Sequence, residues 1–345
     1  MEGLEKAIEQ IKEAMPKLDL REHEPMREHC SFKLGGEVRA YAAPKDVFEM
    51  SKVMFYLHMN DVSPLTVGRC TNLIIPEEGL DIMVISTENL QKLRMGEQEN
   101  TIYAEAGVSL ARLAQFAQTK GLSGLEFASG IPGSVGGGVL MNAGAYGGEM
   151  KDVVDSVVVY YIPDQALTEV KGCDCGFAYR HSNFEKINCA IMGAVFTLKP
   201  DDPEAISARM REMNEKRRQS QPLDMPSAGS AFKRPATGYA AALIDQCGLK
   251  GYTVGGAQIS EKHAGFAVNI GGATYDDVVA LLDHVRREVY AKTQVTLEPE
   301  IRIYPKGMIL VDDWRLKKQN IMDQMMEQAQ SRATADGGQD ETKPS

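Results

Sequence analysis

The chain has 345 residues, 43% of them hydrophobic, and 48 acidic against 38 basic side chains give a formal net charge of -10. That composition fits one large core or two to three smaller ones, and it is too apolar for a disordered chain. The acidic balance argues against a protein that tracks a nucleic-acid backbone. No apolar run reaches the roughly 18 residues that cross a bilayer, and the first thirty residues lack an apolar signal core, so a cytoplasmic location is expected. The six cysteines (Cys30, Cys70, Cys173, Cys175, Cys189 and Cys247) read as reduced thiols in a chain too large to need staples. Cys173, Cys175, His181 and Cys189 have the wrong spacing for a structural zinc site, so no metal is expected.

From the N-terminus, Leu4, Ile8, Ile11, Met15 and Leu18 recur every three or four residues, the pattern of an amphipathic helix laid on the body. After Ser31 to Gly36, the alternation of Val38, Ala40 and Ala42 predicts a half-buried strand. Pro44 opens a helix with Val47, Met50, Val53, Met54 and Leu57 on one face, and strands follow around 65–67, 73–75 and 82–85, an alternating α/β unit. Residues 101–106 predict another strand, then Ser109 caps a helix whose inner stripe is Leu110, Leu113, Ala114 and Ala117 and which Gly121 ends.

Residues 153–162 and 190–198 predict core strands with a polar hairpin-like stretch between them. Asp202 and Pro203 start a helix with Ile206, Met210 and Met213 inward, and Lys216, Arg217 and Arg218 close it at a domain boundary. Beyond it come a turn-rich loop over 227–235, a short helix over 240–247, mixed loop and strand to His263, and a strand over 266–270. Thr274 with Asp277 forms a capping-box start for a helix that buries Val278, Leu281, Leu282, Val285 and Val289. A final strand sets Val295, Leu297, Ile301 and Ile303 against Glu298, Glu300 and Arg302. From about Lys317 the chain is polar, and its last fifteen or so residues are expected to be disordered.

Ten glycines fall between Gly121 and Gly148. Such density costs backbone entropy and is useful where the chain bends through positive φ or comes very close to something, such as a diphosphate met by main-chain N–H groups. Gly130-Ile131-Pro132-Gly133-Ser134-Val135-Gly136 matches neither the dinucleotide fingerprint nor the P-loop. Glycine content alone therefore leaves a phosphate cradle and a crossing of tight turns both open. The loop from Pro64 to Leu73, with Gly68, Thr71 and Asn72 between two strands, sits where α/β proteins bind ligands, although taken alone it reads as an ordinary Asn-containing turn.

Together the stretches 124–150, 175–184 (CGFAYRHSNF), 221–235 (QPLDMPSAGSAFKRP), 248–269 and 297–305 (LEPEIRIYP) resemble the UDP-N-acetylenolpyruvoylglucosamine reductase family, in the family's order and over roughly residues 25 to 307. The resemblance implies an α/β (α+β) chain: a two-subdomain FAD-binding body of the vanillyl-alcohol-oxidase type and a C-terminal α+β substrate-binding domain. The expected divisions are 1–85, joined by a returning strand at 297–316, then 86–217, 218–296 and a polar tail at 317–345. With no tyrosine-bearing insert, the chain looks like the second of the family's two subtypes.

The implied reaction is NADPH-dependent and FAD-mediated. Hydride goes to C3 of the enolpyruvyl ether and a proton to C2, giving UDP-N-acetylmuramate. Arg180 matches the family's catalytic arginine, suited to a carboxylate by its permanently charged fork. Ser230 matches the proton donor, and Glu300 the catalytic glutamate, as acid or as part of a polar network. FAD contacts are expected from Gly68, Arg69, Cys70, Thr71, Asn72 and Leu73, from Gly130, Ile131, Pro132, Gly133 and Ser134, from Asn142, Ala143 and Gly144, and from Arg302. Lys233, Arg234, Lys262 and His263 are candidates for the UDP-sugar diphosphate, although His263 also fits a packed histidine fixing its own turn. Cys70 stands where the family has a second glycine, and FAD is expected to be noncovalent. Partners are the UDP-sugar and NADPH, with neither nucleic acid nor membrane, and a monomer is expected. The competing readings are another FAD-dependent oxidoreductase of the same fold and a nonenzymatic nucleotide-sugar binder.

Overall fold

The computed structural model describes residues 2–187 and 189–308. The expected polar tail from residue 317 and the part of the returning strand past residue 308 lie outside the described residues.

Helix α1 (Glu2–Ala14) buries Leu4, Ala7, Ile8 and Ile11 on the body, as its periodicity requires. A strand at Leu20–Pro25 was not visible in the sequence: LREHEP is charged and mostly exposed, because it is an edge strand read only by its pairing with Glu37–Ala42. Helix α2 (Val47–Met59) starts three residues later than Pro44 suggests. Asp46 is its cap and accepts the Glu49 N–H at 2.8 Å. The first sheet runs Leu20–Pro25, Glu37–Ala42, Leu80–Ser86, Leu65–Val67, antiparallel at the first pairing and parallel at the other two.

The second sheet has five strands, all antiparallel: Ala166–Lys171, Val154–Tyr161, Cys189–Thr197, Thr101–Glu105 and Leu93–Met95. Helix α3 (Leu110–Thr119) is capped by Ser109, and its four expected apolar residues are all buried. The short helix α4 (Val135–Leu140) follows the glycine-rich segment. One core runs from α1 through Ala40 and Met83 into this sheet at Ala104, Val157 and Phe196, so the two subdomains share a hydrophobic interior.

Helix α5 (Pro203–Ser220) buries only Ile206, while Met210 packs half-buried against the shared core. The third unit is a four-stranded antiparallel sheet, Ser227–Ser230, Phe266–Asn269, Ala257–Ile259 and Thr253–Val254, with α6 (Ala240–Gln246) and α7 (Tyr275–Thr293). Its first strand corrects the expected loop over 227–235. The residues SAGS carry no alternation to read, and Gly229, at φ +76°, lies in a bulge between Ser227 and Ser230. Helix α7 has the predicted Thr274–Asp277 capping box and buries all five predicted residues.

The third unit's core takes in Phe32, Leu34 and Ile74 from the body, so it is packed on the body rather than tethered to it. Of the predicted final strand only Arg302–Ile303 is regular, because the segment changes partner along its length. Lys233 N–H donates to Glu298 and Glu300 N–H to Ala231 (2.8 and 2.9 Å), both within the third unit. Arg302 and Tyr304 N–H then donate to Asn72 and Ile74 (3.1 and 3.0 Å), within the body. Glu300 therefore sits at the seam.

Candidate active site

Arg180 is carried at the tip of a tight hairpin in which Ala178 and His181 exchange main-chain hydrogen bonds of 3.0 and 3.1 Å. The turn needs positive φ, and Arg180 takes it at +53°. Below the hairpin, Asn142 is fully buried at φ +42°, and its amide is used up. Nδ2 donates to Ala178 O (3.0 Å) and Glu149 Oε2 (2.8 Å), and Oδ1 accepts the Lys151 N–H (2.9 Å). The structure thus gives Asn142 the work of bracing the arginine's turn.

Arg180 Nε donates to Glu300 Oε1 at 2.6 Å and Nη2 to Gly144 O at 3.3 Å, with the two side chains 19% and 13% exposed. Burial pushes the Glu300 carboxyl above its ordinary range, and the opposing pull of Arg180 and Lys233 does not cancel it. Asn72 Nδ2 donates to Glu300 O at 3.2 Å, tying the seam to the early loop. Ser230 immediately precedes Ala231, the acceptor of the Glu300 N–H. Its hydroxyl is half-buried and has no hydrogen-bond partner among the described residues. Ser31, which the sequence did not single out, holds the same strand by donating to Ser227 O at 2.6 Å.

The loop from Gly68 to Asn72 offers what a diphosphate requires. Among the described residues none of its five main-chain N–H groups has a protein acceptor, and Cys70 bends the chain at φ +48°. A Cβ on Gly68 would stand 2.1 Å from Ser134 Oγ, so the loop faces the glycine-rich segment across a gap only glycine leaves. Ser134 Oγ is itself buried without a partner. These residues fit an FAD diphosphate. Cys70 turns its thiol inward, 5% exposed, against Cys30, so the departure from glycine does not fill the space above the loop.

The remaining predicted residues are spread more widely. Leu73 is buried in the strand that pairs with Arg302, and Ala143 and Ile131 are half-buried against the shared core. Gly130 O accepts from Arg217 Nη1 at 2.7 Å, while Gly133 accepts the Leu110 N–H at 3.0 Å. Pro132 lies exposed between them, and Arg69 is exposed at the loop tip. Arg302 pairs with Glu185, which also holds His181 at 2.6 Å. Lys233 pairs with Glu298 at 2.5 Å. Arg234 donates its N–H to Tyr179 OH at 3.0 Å and lies 4.5 Å over the Tyr239 ring, linking the Arg180 hairpin to the third unit.

Lys262 and His263 are not brought to the Arg180–Glu300 pair by any contact among the described residues. Lys262 Nζ donates to Arg218 O at 2.6 Å, at the end of α5. His263 Nδ1 accepts the Gly265 N–H at 3.1 Å, and burial holds the ring below its ordinary range, the packed reading of this histidine. Arg217, Tyr179 and Glu185, which touch the predicted residues Gly130, Arg234 and Arg302, were not among the predicted site residues. Their one sequence signal is proximity: Arg217 lies four positions before the QPLDMPSAGS stretch, Tyr179 directly before Arg180 and Glu185 five positions after it.

Residues 221–304 match the family model described as UDP-N-acetylenolpyruvoylglucosamine reductase, C-terminal domain, and residues 38–169 match an FAD binding domain. The UDP-N-acetylenolpyruvoylglucosamine reductase of Caldanaerobacter subterraneus subsp. tengcongensis is 40% identical over 86% of this chain and 97% of its own. That of Thermotoga maritima is 44% identical over 81% of this chain and 96% of its own. The crystal structure of the Thermus caldophilus reductase superposes with a TM-score of 0.71 at 32% identity, covering 84% of this chain and 99% of that one. With sequence, both parts of the architecture and a solved fold in agreement over nearly the full length of these relatives, the chain belongs to the UDP-N-acetylenolpyruvoylglucosamine reductase family.

Proposed function

We propose that the enolpyruvyl end of the substrate is received between Arg180, Glu300 and Ser230. The enzyme reduces UDP-N-acetylenolpyruvoylglucosamine to UDP-N-acetylmuramate, with FAD as cofactor and NADPH as reductant. Bound FAD supplies the hydride that goes to C3. The observation that carries the residue assignment is the largely buried Arg180–Glu300 pair at the seam, one hydrogen bond from the strand that ends in Ser230.

In this reading Arg180 binds the substrate carboxylate through its fork and stabilises the charge that builds there. Ser230 holds a proton at Oγ, free of any acceptor among the described residues, and gives it to C2. Glu300 pairs with Arg180 while the site is empty of substrate. Once the substrate carboxylate takes the guanidinium, the buried Glu300 carboxyl loses the nearer of its two counter-cations and protonates, so that it meets the enolic intermediate as an acid. The free loop N–H groups at 68–72 and Ser134 would hold the FAD diphosphate. Lys233 and Arg234, at the mouth of the seam, would meet the UDP-sugar diphosphate.

No helix among the described residues is long and apolar enough to cross a membrane. A cytoplasmic monomer of the second subtype completes the reading: α1 covers its apolar stripe on its own body, and the six free cysteines suit a reducing compartment. The test separates the two half-reactions under anaerobic conditions. Ser230→Ala is expected to leave FAD reduction by NADPH within about twofold of the parent and to slow reoxidation by substrate by about 100-fold or more. Equal loss in both would remove Ser230 from its role.

A further inference from the structure

Among the described residues only two buried side-chain polar atoms lack any hydrogen-bond partner, Ser134 Oγ and Arg217 Nε. They bracket one segment. Ser134 ends the run Gly130 to Ser134, and Arg217 lies against its beginning, where Nη1 donates to Gly130 O at 2.7 Å and a Cβ on Gly130 would stand 3.1 Å from Nε. Glycine at 130 thus leaves room for Asn214 and the Arg217 side chain to approach the main chain, since a Cβ there would also stand 2.4 Å from Asn214 Oδ1.

Arg217 is also an electrostatic oddity. No carboxylate pairs with it among the described residues, although its neighbour in sequence, Arg218, pairs with Glu215 and its fellow on the same helix, Arg209, is held by Glu126 and Asp201. The groups that do meet it are neutral: the Gly130 carbonyl and Tyr146, whose ring centre is 6.0 Å from the guanidinium. Burial is the leading influence on its protonation and disfavours the cation. A largely desolvated, permanently charged group with an unused donor is costly unless something outside the protein completes it. Lys262 Nζ, which donates to the adjacent Arg218 carbonyl, adds a second cation at the same end of α5 with no carboxylate among its partners.

We propose that Arg217 receives an oxyanion of a bound nucleotide, through Nε, at the far end of the segment whose near end is Ser134. The chemistry is that of a nucleotide phosphate. The position beside the Gly130 to Ser134 run makes FAD the expected source, a step that rests on the reading of that run as the flavin segment. The UDP-sugar and NADPH carry the same chemistry and are distinguished by the experiment.

Arg217→Gln and Arg217→Lys are compared with the parent in three measurements: the dissociation constant of FAD for flavin-stripped protein by fluorescence titration, the dissociation constants of UDP and NADP+ for the holoenzyme from flavin difference spectra, and the melting temperature of the stripped protein. Arg217→Gln is expected to weaken FAD by about tenfold or more, the loss of a charged hydrogen bond, with Arg217→Lys recovering part of it. The stripped protein's melting temperature should hold or rise, since an unpaired buried cation has gone. FAD unchanged but UDP or NADP+ weakened by the same factor supports the proposal and assigns the oxyanion to that nucleotide. All three affinities within about twofold of the parent overturn it, as does a stripped protein that melts lower in both variants with affinities preserved, which is the signature of a purely structural arginine. Failure of the flavin reading itself would show differently, as a parent protein that takes up no FAD at all.

Discussion

Arg180 and Glu300 are 120 positions apart in the chain, yet each is placed by short-range chemistry: a two-residue turn for one and a change of strand partner for the other. The arginine's geometry matters as much as its charge. Nε faces Glu300 while Nη2 faces Gly144, a fork that a lysine's single ammonium cannot reproduce. Arg180→Lys should therefore keep the fold and the flavin but lower kcat/KM by about 100-fold or more, the size of losing a positioned charge-stabilising donor. Steady-state NADPH oxidation beside a flavin spectrum checks both halves. A loss under about tenfold would mean that charge alone suffices there.

The exchange proposed for Glu300 has its own signature. Its carboxyl is raised by burial even with Arg180 beside it, so drawing Arg180 away raises it further and the complex takes up a proton. Calorimetric titration of substrate near pH 7.5, in buffers of different ionisation enthalpy, should report uptake of up to about one proton per site that Glu300→Gln abolishes. Identical heats in every buffer would leave Glu300 as a fixed anion holding Arg180.

At the scale of elements, what holds the glycine-rich turn against α5 is Glu126. It is buried, receives the Gly124 N–H at 2.7 Å and the Ser123 hydroxyl at 2.8 Å, and is met by Arg209 at 2.7 Å. Burial opposes its ionisation, but the Arg209 contact and the N–H and hydroxyl donors outweigh it, and the carboxyl lies below its ordinary range. A carboxyl depressed on folding adds stability that is present above its unfolded value, near 4.5, and is lost as pH falls through the folded value. Glu126→Gln should cost about 1–3 kcal/mol in urea unfolding at pH 7, with the gap to the parent closing as pH drops below that window. A gap that stays constant would make packing, not charge, the source.

Elements whose instructions are local were legible in the sequence: α7 with its capping box and five-residue stripe, and α3 with Ser109 and Gly121. Elements whose instructions lie in a distant partner were not. Leu20–Pro25 has no apolar face of its own, and Ser227–Ser230 is a strand only because Phe266–Asn269 lies beside it. The site divides the same way. Arg180, Ser230, Glu300 and the 68–73 loop were proposed through the order of short motifs. Asn142 as a brace, Ser31 as a strand clamp and Arg217 as an unpaired cation depend on contacts 36, 196 and 87 positions away, which no window of sequence contains.

For the whole molecule the decisive feature is that the Arg180–Glu300 pair, where we propose catalysis, sits on a covalent and hydrogen-bonded seam between two cores. Leu297 and Ile301 belong to the third unit's core, Tyr304 packs with the body's, and Glu300 and Arg302 stand between them. Loosening the segment on one side should then move Glu300 without touching it. Ile301→Ala removes a residue 3% exposed, and Leu281→Ala removes one fully buried on α7, deeper in the same core. Each deletion should cost about 2–5 kcal/mol by transfer plus cavity. Only Ile301→Ala, adjacent to Glu300 and to the Asn72 hydrogen bond, should also lower kcat, measured at a temperature where both variants remain folded by urea titration. Equal turnover losses for equal stability losses would mean that the site feels only global stability. A loss confined to Ile301→Ala would mean that the two cores position the carboxyl jointly, through the six-residue span from Glu298 to Ile303 in which the chain passes from one sheet to the other.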